Sequence, residues 1–252
     1  MLLMLMKNRL LQGRQTKPFP PEPDDLPERF RGVPELAAAE GQCWEKIVPV
    51  CPAGGFSLSD GGAPRIDLGK CVYCGACQSV CPGAVTHTRD YRLAAFEREE
   101  LVFTTRFERR SSPRRRELRK LYRNSLRICQ VNTGGCGACD SNIDMLSAPA
   151  WDMARFGIRP AISPKQADVL LVSGPVAANM AKPLLRAYEA MGEPKLVAAV
   201  GACAISGGIY RNSPECRGGA GNFLPVDLFI PGCPPHPLTL LEGLLRLTGR
   251  IE

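Results

Sequence analysis

Four apolar runs punctuate the second half of the chain, at residues 126–131 (LRICQV), 167–173 (ADVLLVS), 195–200 (KLVAAV) and 226–230 (VDLFI). Each is short and rich in branched aliphatic residues, as a strand buried in a sheet requires. A helix-like stretch at residues 182–191 separates the second run from the third. Strands alternating with helix-length segments predict an α/β domain with a parallel sheet, which presents its functional groups at the carboxyl ends of its strands. Upstream, Leu118, Leu121, Tyr122 and Leu126 recur at helical spacing behind Ser112 and Pro113, which suit an N-cap and a first helical position. The expected helix turns an apolar stripe inward and its arginines outward.

Three of the four runs end in a Gly/Cys turn: Gly134-Gly135-Cys136-Gly137-Ala138-Cys139, Gly201-Ala202-Cys203-Ala204 and Pro231-Gly232-Cys233-Pro234-Pro235. On a parallel sheet these four thiols meet on one rim. Cys-x-x-Cys alone also serves zinc sites and redox dithiols, and Cys203 or Cys233 taken singly reads as a buried, inert thiol. Jointly, with glycines that let backbone N–H groups approach sulfide and prolines behind the last thiol, the set points to one iron–sulfur cluster and to electron transfer.

The first half carries a second such module. Cys71-x-x-Cys74-x-x-Cys77-x-x-x-Cys81-Pro82 is the bacterial ferredoxin run, too tightly packed for an ordinary zinc site. Without a secretory signal, disulfides are not expected in this chain. A partner run should end at Cys51-Pro52, but counting back with the same spacing places Gly41, Trp44 and Ile47 at its ligand positions. None of these binds iron. The fourth cysteine of each run ligates the other run's cluster, so the surviving cluster is expected on Cys51, Cys71, Cys74 and Cys77, with Cys81 an orphan near Cys43. The competing assignment keeps Cys81 as fourth ligand and makes Cys51 the relic.

Residues 118–246 resemble the small subunit of the energy-converting, membrane-associated (group 4, formate hydrogenlyase type) [NiFe] hydrogenases, and the related B subunit of NADH:quinone oxidoreductase. The motifs that carry the likeness are Val200 to Gly208, matching VG-x-CA-x-SGG, and Pro231 to Pro235. Two residues lie between Cys136 and Cys139, as in hydrogenase small subunits, where the quinone-reducing subunit has adjacent cysteines. The resemblance implies a flavodoxin-like sheet with helices on both faces, and a proximal [4Fe-4S] cluster on Cys136, Cys139, Cys203 and Cys233. It also implies a large-subunit partner holding the catalytic metal, other subunits of a membrane-bound complex, and a place on the cytoplasmic face of the inner membrane. Residues 18–34 and the intact ferredoxin run resemble the polyferredoxin-like subunit of formate hydrogenlyase, so two polypeptides look fused. Two positions depart from the family. Asn142, with Asp140 nearby, stands where relatives carry a glutamate, and Asn carries no proton. His236 follows the last motif where relatives have arginine; it is either a titrating group that makes the cluster potential pH-dependent or an ordinary loop residue.

The expected organisation is a docking segment at 1–34, an α+β ferredoxin-like module at 35–103, a basic linker helix at 104–125 and the cluster domain at 126–252. Length and 44% hydrophobic content suit two modules, and 25 glycines and 23 prolines suit irregular ligand loops. Of the net charge of +7, residues 104–127 contribute ten Lys/Arg against two Glu, so the basic character is local. No nucleic-acid motif accompanies it; a solvated face is the plain reading, and contact with anionic lipid or an acidic subunit the sharper one. Residues 1–6 (MLLMLM) are too few to cross a bilayer, and suit a short docking segment or a frayed end. Two histidines, no nucleophile elbow and no phosphate-binding loop leave little room for hydrolytic or nucleotide chemistry. Cys129 and Cys216 fall outside both ligand sets. The sequence therefore reads as an oxidoreductase subunit with two [4Fe-4S] clusters, in a hydrogenase-type complex, in a nickel-free relative of it, or as a structural iron–sulfur protein.

Overall fold

The computed structural model describes residues 2–13, 16–21, 26–37, 41–111 and 115–251. In the N-terminal half the elements are α1 (Leu2–Gln12), β1 (Pro34–Leu36), α2 (Gly41–Ile47), β2 (Phe56–Leu58), β3 (Pro64–Asp67), α3 (Ala76–Val80), β4 (Val85–His87), β5 (Val102–Phe103) and α4 (Arg115–Tyr122). The C-terminal half adds β6 (Leu126–Asn132), α5 (Ala138–Met145), β7 (Ile158–Pro160), β8 (Val169–Ser173), α6 (Ala181–Glu189), β9 (Leu196–Val200), α7 (Gly201–Ser206), β10 (Leu228–Ile230) and α8 (Pro237–Leu247).

The five C-terminal strands form one parallel sheet in the order β7-β6-β8-β9-β10. Numbered from its own first strand this is 2-1-3-4-5, the flavodoxin-like winding. The four apolar runs are four of its strands. The fifth, β7, escapes sequence reading because only Ile158 is buried, while Arg159 and Pro160 face solvent on an edge strand that tolerates proline.

Alternation within the strands divides the core in two. Leu170, Val172, Val197 and Ala199 point to one face, with Leu184 of α6 and Ala204 and Ile205 of α7. Val169, Leu171, Leu196, Ala198 and Val200 point to the other, with Leu118 of α4, Ile143 of α5 and Leu240, Leu241 and Leu244 of α8. Helices thus cover both faces, which is why β8 and β9 are buried throughout.

The N-terminal half pairs β1 with β4 and β2 with β3 and β5, all antiparallel. Its core residues Trp44, Ile47, Phe56, Ile66 and Leu101 belong to the same cluster as Leu170 and Val197. Ala95 exchanges two backbone hydrogen bonds with Phe229, of 3.0 and 2.8 Å, and so closes the outer edge of β10.

In α4, Leu118 and Tyr122 are buried but Leu121 is 53% exposed, and Leu126 already belongs to β6. The apolar stripe is narrower than its sequence spacing suggests, and Ser112 and Pro113 lie outside the described residues. Helix α1 exposes Leu3, Met4, Leu5, Met6, Leu10 and Leu11. Among the described residues no helix is long and apolar enough to cross a membrane.

Candidate metal centres

The carboxyl ends of β6, β9 and β10 bring four cysteines to one rim. Beyond β6, Asn132 Oδ1 accepts the N–H groups of Gly134 (2.9 Å) and Gly135 (2.8 Å), folding the loop that presents Cys136. Gly137, at φ 83°, opens α5, whose first turn holds Cys139. Cys203 lies in α7, which starts directly at the end of β9, and Cys233 lies in the turn after β10. Asp140 accepts hydrogen bonds from Gln130 Nε2 (2.7 Å), Ser173 Oγ (2.6 Å) and Asn132 Nδ2, tying the start of α5 to the ends of β6 and β8.

Two glycines are dictated by sulfur. A Cβ on Gly201 (φ +86°) would stand 2.7 Å from Cys139 Sγ, and one on Gly208 (φ +54°) 2.8 Å from Cys203 Sγ. Burial pushes the Cys139 thiol up to about 12 and Cys203 to about 11, and raises Cys233; neighbouring cysteines of the same set add to each shift. Three thiols of the set that resist ionising together require a cationic core to become ligands. Cys136 and Cys233 are exposed, so the rim opens at the surface.

In the N-terminal half one pocket is lined by Cys51, Cys71, Cys74 and Cys77, walled by Phe56, Ile66 and Val85. Backbone N–H groups point at its sulfurs, Gly55 to Cys51 Sγ at 3.2 Å and Tyr73 to Cys71 Sγ at 3.4 Å. Burial pushes Cys71 up to about 12 and raises Cys77, with the other three cysteines of the pocket adding to the Cys71 shift. The donor sets fit an iron–sulfur cluster: four soft sulfurs each, glycines where a Cβ would collide and, in the N-terminal set, backbone donors toward sulfur. Among the described residues no three Cys, His or carboxylate side chains gather tightly enough to hold a single metal ion.

Cys81 is not in this pocket. It forms a disulfide with Cys43, which overturns both its assignment as fourth ligand and the expectation that the chain has no disulfide. At the decayed ligand positions, Trp44 and Ile47 are buried and Trp44 stacks on Phe56 with ring centroids 5.9 Å apart. Hydrocarbon occupies what a second cluster would need.

Several residues join the two sulfur sets, and sequence reading passed over most of them. Ser206 Oγ of α7 donates to the Gly69 carbonyl at 2.9 Å, two residues before Cys71. Val72 and Tyr73 share a cavity with Asn142, Cys233 and His236. Tyr73 takes φ 54°, and its buried hydroxyl has no hydrogen-bond partner. Such contacts leave no local signature; only their position beside cysteine motifs could have marked them. Asn142 Nδ2 donates to the Pro235 carbonyl at 2.9 Å, locking α5 to the Cys233 turn. His236 is a helix cap: its Nδ1 accepts the Leu238 N–H at 3.2 Å, and its ring meets Phe30 and Trp151 edge to face. Burial, aided by the charge of Lys17, pushes its pKa down to about 4. In this setting it is neutral at physiological pH and serves as a helix cap, which favours the structural reading over the titrating one. Cys129 is buried, and Cys216 Sγ sits 3.4 Å from the Pro175 carbonyl.

Comparison with known proteins agrees with this geometry. Residues 136–247 match the family described as NADH ubiquinone oxidoreductase, 20 Kd subunit, and residues 64–85 match a 4Fe-4S binding domain. An uncharacterized protein of Methanocaldococcus jannaschii is 46% identical over 134 residues, 53% of this chain and 90% of its own length. Formate hydrogenlyase subunit 7 of Escherichia coli is 39% identical over 135 residues, 54% of this chain but only 53% of its own length. The probable membrane-bound hydrogenase subunit mbhJ of Pyrococcus furiosus is 38% identical over 129 residues, 51% of this chain and 77% of its own. The chain thus belongs to the NADH ubiquinone oxidoreductase 20 kDa subunit family, and is an iron–sulfur oxidoreductase subunit with a 4Fe-4S binding domain ahead of the family region.

Proposed function

We propose that this chain is the electron-transfer subunit of a membrane-associated, hydrogenase-type complex, with two [4Fe-4S] clusters. Cys51, Cys71, Cys74 and Cys77 hold one, and Cys136, Cys139, Cys203 and Cys233 hold the other. Such clusters, when bound, accept and release single electrons. The chain's own residues cover part of each sulfur set, aim N–H groups at Cys51 and Cys71, and tie the two sets together through the Ser206 to Gly69 hydrogen bond. The observation that carries the reading is this direct joining of a ferredoxin-type sulfur set to a surface-opening second set. A scaffold protein needs neither the joining nor the opening. Catalysis belongs to a large subunit seated over Cys136 and Cys233.

The test is the nickel content of the native complex, isolated anaerobically through this chain, together with a reductive titration of its clusters. Nickel near one atom per chain and clusters that reduce reversibly support a hydrogenase. Clusters that cannot be reduced reversibly would mean a structural role. Asn142 favours a second reading, a nickel-free complex passing electrons to quinone or another acceptor. Its amide is spent on the Pro235 carbonyl, so it offers no proton relay. An iron-replete complex without nickel would select that reading.

The peripheral placement, on the cytoplasmic face of the inner membrane, is supported by two surfaces. Arg116, Arg119, Lys120 and Arg123 line one open groove along α4, and α1 exposes its leucines and methionines. Cations near an anionic leaflet gain about 1 kcal/mol each, and apolar side chains add burial. Flotation with phosphatidylglycerol vesicles should carry the protein at low salt and lose it when the four cations become glutamate. Equal flotation of both proteins would leave α4 without this role.

A further inference from the structure

The degenerate half of the ferredoxin module contains a covalent bond that electron transfer alone does not explain. In a two-run ferredoxin the fourth cysteine of one run ligates the cluster of the other, so each cluster cross-links the two halves. Cys81 is that fourth cysteine. The positions that would complete its cluster, Gly41, Trp44 and Ile47, all lie on α2, and their residues bind no iron. Yet Cys81 still reaches α2, through the disulfide to Cys43. The link between the end of α3 and α2 is kept although its original chemistry is gone.

The bond also encloses the surviving site. Cys43 and Cys81 are 38 residues apart in sequence, and Cys51, Cys71, Cys74 and Cys77 all fall between them. At one end, Cys81 N–H donates to the Cys77 carbonyl at 3.1 Å; at the other, Ile47 of α2 accepts the Cys51 N–H at 3.2 Å. Cys81 is thus tied by one backbone hydrogen bond to Cys77, and the helix that carries Cys43 by one to Cys51. Cys81 is buried beside the Trp44 and Ile47 hydrocarbon, whereas Cys43 is half-buried and leaves the bond a side from which a dithiol can attack.

We infer that the Cys43–Cys81 disulfide has taken over the cross-linking role of the lost cluster, and that retention of the ferredoxin-type cluster depends on the thiol redox state of this pair. The inference rests on the reading that the Cys51, Cys71, Cys74, Cys77 set holds a cluster. Opening the bond needs a dithiol reductant. One thiolate attacks a sulfur of the pair to give a mixed disulfide, and the reductant's second thiolate displaces it. Two electrons and two protons pass to the chain, leaving Cys43 and Cys81 as thiols and the reductant as a cyclic disulfide. With the loop unclosed, the ends of the pocket gain the chain entropy that the bond withheld.

The experiment uses the full chain with its clusters, purified anaerobically. Alkylation followed by mass spectrometry should find Cys43 and Cys81 protected without dithiothreitol and labelled after it. Iron release to a ferrous chelator, followed by electron paramagnetic resonance of the reduced clusters, should then accelerate about tenfold at the ferredoxin-type site after the dithiol treatment. The signal from the Cys136, Cys139, Cys203, Cys233 site should persist, which excludes general unfolding. A Cys43→Ala/Cys81→Ala protein should release iron fast with or without dithiol; should it fail to fold, the treated and untreated native chain still decide. Free thiols at both positions in the untreated protein, or equal release rates before and after reduction, overturn the brace while leaving the electron-transfer reading intact. Absence of any ferredoxin-type signal in untreated protein overturns the cluster reading and the brace with it.

Discussion

His236 shows how far a residue's setting decides its chemistry. In free solution it titrates near 6.5, and beside a cluster turn it invites a proton-coupled role. Here Nδ1 is engaged as an acceptor at the start of α8, and Phe30 and Trp151 exclude water from the ring. The neutral form is the one the fold uses. The folded pKa, about 4, lies below the ordinary value of 6.5, so the unfolded chain binds the proton first as pH falls. The stability this cap contributes is complete above about pH 6.5 and is lost progressively down to about pH 4. His236→Asn keeps a capping acceptor without a titrating ring, and should flatten that part of the stability-against-pH curve. Chemical denaturation at half-unit steps between pH 4 and 7 checks it. Two superimposable curves would mean that His236 has the same pKa in the folded and unfolded chain. The same substitution should leave any pH dependence of the cluster potentials unchanged.

At the scale of elements, α7 concentrates the demands of the site. It follows β9 without a loop, carries Cys203, packs on both β8 and β10, and donates Ser206 to the N-terminal half. Its first residue, Gly201, combines a left-handed backbone with a side-chain volume already taken by Cys139 Sγ. Gly201→Ala therefore meets a backbone penalty of about 1–2 kcal/mol and a collision with Cys139 Sγ. The expected result is loss of the C-terminal cluster signal with the ferredoxin-type signal retained; iron content per chain and paramagnetic resonance report both. Equal loss of the two signals would mean general misfolding instead. In the other half, Trp44→Ala should cost about 3–5 kcal/mol in thermal or chemical unfolding, because the ring fills space that a cluster no longer does. Sequence alone made much of this legible. The runs ending at Val131, Ser173, Val200 and Ile230 declare strands because a sheet covered on both faces demands mostly apolar residues, and three of the four run into the cysteine turns. Strand β7 was not legible, since one buried residue in three makes no pattern. Neither was the Cys43–Cys81 bond, because Cys43 lies one position away from a recognisable ligand spacing.

For the molecule as a whole, the missing information was how the halves meet. The hydrogen bonds that tie the ferredoxin-like region to α7 and α8 join residues more than 130 positions apart, so no local pattern announces them. The segment after the ferredoxin run lies along α8. Thr239 Oγ1 donates to the Tyr91 carbonyl at 2.8 Å, and Arg246 donates to the carbonyls of Ala94 (2.6 Å) and Arg110 (2.5 Å). Glu242, buried one turn earlier on α8, balances both Arg246 and Arg109. Part of the basic character of residues 104–127 is thus an interior clamp, while the remainder on α4 faces outward. An electron relay requires this rigidity, because transfer between the two sulfur sets depends on a separation that a flexible tether would not hold. Arg246 is the residue on which the clamp converges, 3% exposed and touching both halves. Arg246→Ala removes two buried hydrogen bonds and leaves the Glu242 carboxylate with less compensation, a loss of about 3–5 kcal/mol. In the native chain the absorbance of both clusters should bleach in one denaturant transition. In Arg246→Ala the two should separate, the ferredoxin-type cluster bleaching first, while the magnetic coupling between the reduced clusters broadens or disappears. A single, unshifted transition with unchanged coupling would show that the shared apolar core alone holds the halves together.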